Sequence, residues 1–373
     1  MDNLILVING GSSSIKLSAF AMKQEADPLL WSSNISCNLL DASDDEIKSQ
    51  LAEQLKKQNV SLESVKCVGH RIVHGGEKLR DIVAVDDGVE KEIEALTELA
   101  PVHNPIGLKL VKQARVLLSD AKHFAVFDTA FHKSMDEPCF VYPLPYDWYE
   151  ELGIRRFGFH GINHQFCAEA ALNFNKSARK IVIAHLGNGC SLSAVSDGKS
   201  VDTSMGFTPN EGLMMGARSG SIDPGIIFYL LREKNFPVED LEAQLNNKSG
   251  LSGVSGIGKD MREIQTAMET GNKRARLAFN IFVHRIKSGI ASMAATMNGI
   301  DTLIFTAGIG EHSAAVRSEV CKGLTFLGID LDPQLNYKCT VDGIISSTES
   351  SIKVLRITAR EDLQIFRQCL QLS

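Results

Sequence analysis

Between residues 181 and 227 an apolar run, Ile181 to Ala184, enters His185-Leu-Gly-Asn-Gly189, and Ser191-Leu-Ser-Ala-Val195 returns with strand-like alternation. Two apolar strands around a short glycine-rich turn read as a β-hairpin. Glycine lets the backbone approach a ligand, and the amides of such a turn can point at an anion. An ordinary tight hairpin produces the same pattern. The chain opens with the same device, since Leu4 to Ile8 leads into Asn9-Gly-Gly-Ser-Ser-Ser14 and Ile15 to Phe20 leaves carrying Lys16. A third copy of the theme runs Leu303-Ile-Phe-Thr-Ala-Gly308-Ile-Gly310-Glu-His312, read as a strand, a glycine turn and a helix from Ser313 to Gly323.

Other candidates stand where strands or helices begin and end. Arg71 follows a short strand, Val65 to Gly69. Its guanidinium offers a planar donor fork that matches carboxylate and phosphate, and a surface salt bridge is the plainer alternative. Asp128 follows the strand His123 to Phe127, and in α/β proteins ligands gather outside the carboxyl ends of strands; a turn-stabilising Asp would look the same. His160 stands between glycines at a helix entrance, where backbone amides favour an anion, or it is a buried capping histidine. His103 precedes a helix begun by the cap Asn104 and Pro105, and it reads as a structural histidine or an anion contact. Asp223-Pro224 opens another helix in the same way. Gly253 to Lys259 approaches a P-loop, but Asp260 stands where Ser or Thr must meet the metal, so no Walker site is expected. No GxGxxG occurs, which disfavours a dinucleotide site.

The elements around these residues follow from periodicity. Ile47, Leu51 and Leu55 place a surface helix over Asp44 to Gln58, and Ala278, Phe282, Ile286 and Ile290 place a long core helix over Ala275 to Met297. A helix is expected from Asn163 to Asn173, a last strand from Val354 to Ile357, and a closing helix marked by Leu363, Phe366 and Leu370. The break at Pro143, Pro145 and Tyr146-Asp-Trp148-Tyr149 sets a boundary. Residues 1–145, completed by 360–373, form one expected domain and 146–359 the other. Similar hairpins in two halves, with the strand-glycine-helix turn near the end, suggest duplicated α/β domains facing a cleft. This pattern resembles the actin-like ATPase and sugar kinase fold, which implies two ribonuclease H-like domains flanking a nucleotide cleft.

Composition agrees with two domains of a globular enzyme: 373 residues, 44% hydrophobic, 23% charged and a mean hydropathy of -0.03. A net charge of -6 without a basic run argues against nucleic acid and requires any anion site to be basic locally. No apolar run approaches the ~20 residues that span a bilayer, and Met1-Asp-Asn3 lacks a basic signal-peptide start. Eight scattered cysteines without CxxC read as reduced thiols of a cytoplasmic protein.

Asn9 to Lys16, Gly69-His-Arg-Ile-Val-His-Gly-Gly76, Ala100 to Pro105, Phe127 to His132, Phe157 to Gly161 and the block from His185 to Pro224 together resemble the acetate kinase family over nearly the whole chain. The resemblance implies phosphoryl transfer from ATP to acetate with Mg²⁺, or Mn²⁺, and a homodimer. It gives Arg71, Asp128, His160 and Arg218 catalytic roles. Ser12, Ser14, Lys16, His185, Gly187, Asn188 and Gly189 would hold phosphates. Asp260, Met261, Arg262, Gly308, Ile309, Gly310 and His312 would line the adenosine. Val73, Val102, His103, Phe159 and Pro209 would line the substrate, and Asn9 and Glu361 the metal, although Glu361 is also a favourable acid for a helix's first turn. Gly10, Ser221 and Arg360 depart from the residues usual in the family and leave the alignment at Glu361 less firm. Propionate or butyrate kinase is the near alternative. An actin-like ATPase with no carboxylate substrate is the distant one.

Overall fold

A computed structural model of the chain describes residues 3–11, 14–23, 28–39, 41–101 and 103–373. It divides into two compact units, Met1–Lys133 with Gly161–Asn163 and Arg360–Ser373, and Ser134–His160 with His164–Ala359.

The first unit carries β1 (Leu4–Gly10), β2 (Ser14–Ala21), β3 (Leu29–Ser36), β4 (Val65–Ile72), β5 (Val83–Ala84) and β6 (Lys122–Phe127), ordered β3-β2-β1-β4-β6-β5. β1 to β3 form an antiparallel meander, β1, β4 and β6 are parallel, and β5 closes the edge antiparallel. β1 is a continuous apolar run because both of its faces are covered. Leu4, Leu6 and Ile8 pack with Ile106, Leu110 and Ala114 of the helix Asn104–Leu117 and with Ile47, Leu51 and Leu55 of the helix Asp44–Lys57. Ile5 and Val7 pack with Ile365, Phe366 and Cys369 of the closing helix Glu361–Leu372, where Phe366 stacks on Phe20 at 4.7 Å. Each such fully buried side chain contributes about 1.5 to 3 kcal/mol. The closing helix is thereby held on the sheet that bears Asn9 and Arg71.

The second unit carries β7 (Lys180–Leu186), β8 (Cys190–Ser196), β9 (Lys199–Thr203), β10 (Thr302–Thr306), β11 (Gly343–Ile344) and β12 (Lys353–Arg356), ordered β11-β12-β10-β7-β8-β9. Read from its other edge, this is the first sheet again: a three-strand meander, two further parallel strands and a two-residue antiparallel edge. The repeated hairpins therefore belong to a repeated sheet. Ala278, Phe282, Ile286 and Ile290 of the helix Lys273–Thr296 are all buried. None of the described helices is long and apolar enough to cross a membrane.

Three local expectations change. The strand before Arg71 continues to Ile72, because β6 pairs beside it as far as Ile72 and Phe127. His103, not Asn104, is the cap of the next helix. The Asn104 amide instead clamps the loop after β4, accepting from His74 N and donating to His74 O, each at 3.0 Å. The expected glycine turn after β10 is helical from Ala307 to His312, and a second helix follows over Ala314–Lys322.

Candidate active site

In the first unit β1, β4, β6 and the closing helix deliver Asn9, Arg71, Asp128 and Glu361 to one hydrogen-bonded group. Arg71 Nε and Nη2 donate to the two Asp128 carboxylate oxygens at 3.1 and 2.6 Å, and Arg71 Nη1 donates to Asn9 Oδ1 at 3.0 Å. Asn9 Nδ2 donates to Glu361 Oε2 at 3.0 Å, and Arg71 lies 3.7 Å from the same oxygen. Burial disfavours the Arg71 charge, but Asp128 and Glu361 more than restore it and hold its pKa above the ordinary value. Burial pushes Asp128 up to about 6 against the pull of Arg71, so it is ionised at neutral pH. Asp128 thus orients an arginine rather than stabilising a turn. Lys16 faces Asn9 across the hairpin and pairs with Asp362 at 3.1 Å, and Ser18 also donates to that carboxylate at 3.0 Å. Ser14 starts β2. The Asn104 clamp sets the loop bearing Val73 beside the helix entrance bearing His103. Ser12 and Val102 lie outside the described residues.

In the second unit the β7–β8 turn is the centre. His160 stacks on His185 with centroids 4.0 Å apart and planes 10° from parallel. A Cβ added at Gly189 would come within 3.2 Å of His160 Cε1 and Nε2, a tight contact, and 3.7 Å of Arg218 Nη1, so both side chains converge on the turn at this glycine. Asn188 O accepts from Gly216 N at 3.1 Å, tying the turn to the loop that carries Arg218. Arg218 Nη1 donates to Pro209 O at 2.7 Å and lies 3.7 Å from Met215 Sδ. No carboxylate among the described residues pairs with it, and burial lowers its pKa with only Cys190 opposing. β10 runs beside β7 with Thr306 opposite His185, so the helix Ala307–His312, with Gly308, Ile309 and Gly310 in it, starts at the turn. Gln265 donates to Ser313 Oγ at 3.1 Å, which brings the helix Met261–Glu269 to the same end of the sheet. Met261 is buried there, whereas the Asp260 carboxylate is spent on its own helix, accepting from Arg262 N and from the Arg262 guanidinium. His312 is exposed and no described contact joins it to the turn.

Backbone strain marks the same place. Six described non-glycine residues have positive φ, and four are Asn or Asp, which tolerate that region. The other two are His160 (φ 57°) and Ala307 (φ 64°), one beside the turn and one at its neighbouring helix. His160 is the N-cap residue of its helix by position, but its side chain makes no cap hydrogen bond there. Phe159, next to it, is fully buried.

Several residues of this site carry no local sequence signal. Ser191 and His164 contact His160 or one another through bonds spanning 31 and 27 positions. Arg156 donates to the carbonyls of Thr203, Ser204 and Met205 and pairs with Glu211 at 2.8 Å, and Tyr142 donates to the same carboxylate. A Cβ at Gly206 would overlap Glu211, so the loop closes on this network only with glycine there. The loop carries Pro209, the acceptor of Arg218.

Comparison with known proteins agrees with this geometry. The sequence model of the Acetokinase family matches residues 4–367. The chain is 43% identical to the acetate kinase of Nostoc punctiforme, covering 99% of each protein. The crystal structure of Porphyromonas gingivalis acetate kinase superimposes with a TM-score of 0.90 at 34% identity, covering 99% of each chain. That of a propionate kinase from Francisella tularensis superimposes with a TM-score of 0.91 at 33% identity, again over 99% of each.

Proposed function

The chain belongs to the acetokinase family, and from that membership we propose how its residues carry the ATP-dependent phosphorylation of acetate. An acetate oxygen attacks the γ-phosphorus of ATP, the bond from that phosphorus to the bridging oxygen breaks, and ADP leaves with the bonding pair. Acetate is already ionised at neutral pH and needs no base. Two anions must meet in line, so the protein's task is to position them and to neutralise charge. The observation that carries this reading is the half-buried Arg218 beside His160 and Gly189, a cation that no carboxylate pairs with among the described residues.

Arg218 and the His160 Nε2 edge bind the transferred phosphoryl oxygens. The amides of Gly187, Asn188 and Gly189, with His185, hold the β and γ phosphates. Gly308, Ile309, Gly310, Met261 and Arg262 take the adenosine side with His312, and Asp260 serves Met261 and Arg262 by capping their helix. In the first unit Arg71 is aimed by Asp128 at the reacting anions, and Ser12, Ser14 and Lys16 serve the phosphate end. Val73, Val102, His103, Phe159 and Pro209 are assigned to the substrate carboxylate and methyl. One methylene is worth only about 1 to 3 kcal/mol, so acetate is preferred and propionate reacts more slowly.

Magnesium fits the donors present. The Asn9 amide oxygen and the Glu361 carboxylate are hard oxygen ligands, and no group of three or more His, Cys, Asp or Glu among the described residues forms a metal cage of its own. Mg²⁺ is commonly held by one or two carboxylates together with substrate phosphates. Held by Asn9 and Glu361, it would offset the negative charge of the phosphates.

A homodimer is supported by the helix Pro224–Glu233. It is apolar yet has no buried residue, leaving Ile226, Phe228 and Tyr229 about half exposed. Sedimentation at the mass of one chain would sink that assignment. A cytoplasmic location is supported by eight free cysteines. The reaction itself is tested by ADP release from ATP-Mg²⁺ with the acyl phosphate trapped as hydroxamate. Acetate-dependent ADP with equal hydroxamate is expected, and turnover indifferent to every carboxylate would overturn the reading.

A further inference from the structure

His160 has two ring nitrogens with different neighbours. Nε2 faces Gly189, while Nδ1 lies 2.9 Å from Ser191 Oγ. The same hydroxyl lies 2.7 Å from His164 Nε2, and both Ser191 and His164 are fully buried. A hydroxyl has one hydrogen and two acceptor sites, and a neutral imidazole one donor and one acceptor. The order of protons along the three groups is therefore constrained as a set. Ring orientation is fixed separately, since His185 stacks flat on His160. His185 and Ser191 are direct cross-strand partners in the β7–β8 hairpin. One residue pair on the hairpin thus fixes the plane of His160 through one member and its hydrogen bonding through the other.

We propose that Ser191, backed by His164, is a positioning residue that keeps the proton of His160 on Nε2. His164 Nε2–H donates to Ser191 Oγ, Ser191 Oγ–H donates to His160 Nδ1, and His160 is left with Nε2–H facing the glycine turn. The inference rests on the reading above in which that edge meets phosphoryl oxygens. The reverse order would put a bare nitrogen lone pair against an anion and repel it. The partner of one ring nitrogen commonly decides which tautomer the other presents. Two imidazolium rings stacked at 4.0 Å would also repel one another, so the pair disfavours carrying both charges at once, and in the neutral His160 the single proton must be placed.

The test is ¹⁵N NMR of histidine-labelled full-length protein, with the His160 signals identified by their loss in His160→Gln. The wild type should show His160 protonated at Nε2 and bare at Nδ1. Ser191→Ala should mix the tautomers and lower kcat about 10- to 100-fold, by analogy with the range for outer partners that orient metal-bound histidines, with KM for ATP and acetate changed by less than about twofold. Ser191→Thr, which keeps the hydroxyl, should restore both the spectrum and most of the turnover. A wild-type His160 carrying its proton on Nδ1, or Ser191→Ala turning over like wild type, would overturn the proposal. Full activity in His160→Gln would instead overturn the phosphoryl contact, and the tautomer measured in the wild type would still decide the relay.

Discussion

Arg71 meets Asp128 at 2.6 Å and Glu361 at 3.7 Å, whereas Arg218 meets a proline carbonyl and a thioether and no carboxylate among the described residues. The contrast extends to the two hairpins. The β1–β2 turn brings Lys16, answered by Asp362, and the β7–β8 turn brings His185, Ser191 and glycines, with no acid. In the first unit Arg71 and Lys16 are each folded together with a counter-ion, so a ligand must compete for or share them. Arg218 in the second unit has no carboxylate partner among the described residues, and on the reading proposed above an arriving phosphate would supply one. The two arginines should accordingly fail in different ways when removed.

Arg218→Ala should produce the largest effect. A cation with no carboxylate partner among the described residues is placed to stabilise the charge that develops on the transferred group, and arginines of that kind are worth ~10³-fold or more in kcat. Folding should be nearly indifferent, because the variant loses one hydrogen bond to a carbonyl and relieves a buried charge, so thermal unfolding should shift by less than the roughly 1 kcal/mol of such a bond. Turnover within tenfold of wild type, or destabilisation as deep as that of Arg71→Ala, would erase the distinction.

Arg71→Ala should also cost activity, but its signature is instability. Removing one partner of a buried pair typically costs about 3 to 5 kcal/mol. The pH dependence has a definite sign. Asp128 is pushed up to about 6 even with Arg71 present, above its unfolded value near 3.9, and loss of the guanidinium raises it further. A group raised in the folded state lends stability at low pH that is lost as pH rises through the folded value. The deficit of Arg71→Ala should therefore widen between pH 6 and pH 8, and Asp128→Asn added to it should flatten the profile. Denaturant unfolding at three pH values reads this, and a pH-independent deficit would mean that Asp128 is not what Arg71 stabilises.

The contrast between the arginines was not legible in the chain, although both arginines were. Features written within a few residues came through: the paired hairpins, the burial at every fourth residue of Ala278, Phe282, Ile286 and Ile290, and Asp223 as a helix cap accepting from Gly225 N. Features written in partners far apart did not. Asp362 meets Ser18 across 344 positions and Glu361 meets Asn9 across 352, so no window shows which lysine or arginine is already neutralised. Local rules also failed where tertiary contacts outbid them. Asn104 has the composition of a cap, yet its amide is drawn to the backbone of His74. The glycines after β10 promise a turn, yet Ala307 takes the left-handed conformation and the chain turns helical at once.

The Lys16–Asp362 pair sets the small end of the comparison. Lys16 is 40% exposed and Asp362 only 4%, so solvent screens the pair from one side. Burial alone would raise Asp362, but Lys16, Arg360 and Ser18 outweigh it and hold the carboxyl below its ordinary value. A depressed acid lends stability above its unfolded value that is lost as pH falls through the folded one. Asp362→Asn should cost about 1 to 2 kcal/mol, the scale of a hydrogen-bonded charge discounted for screening. That cost should be steady from pH 5 to 8 and should shrink below pH 4. KM for ATP should change by less than about threefold, since a lysine with an exposed ammonium can reach phosphate with or without its acid. A loss unchanged at pH 3 would show that the carboxylate's charge is irrelevant there. Lys16 would then be as unanswered as Arg218, and the two hairpins would differ in geometry alone.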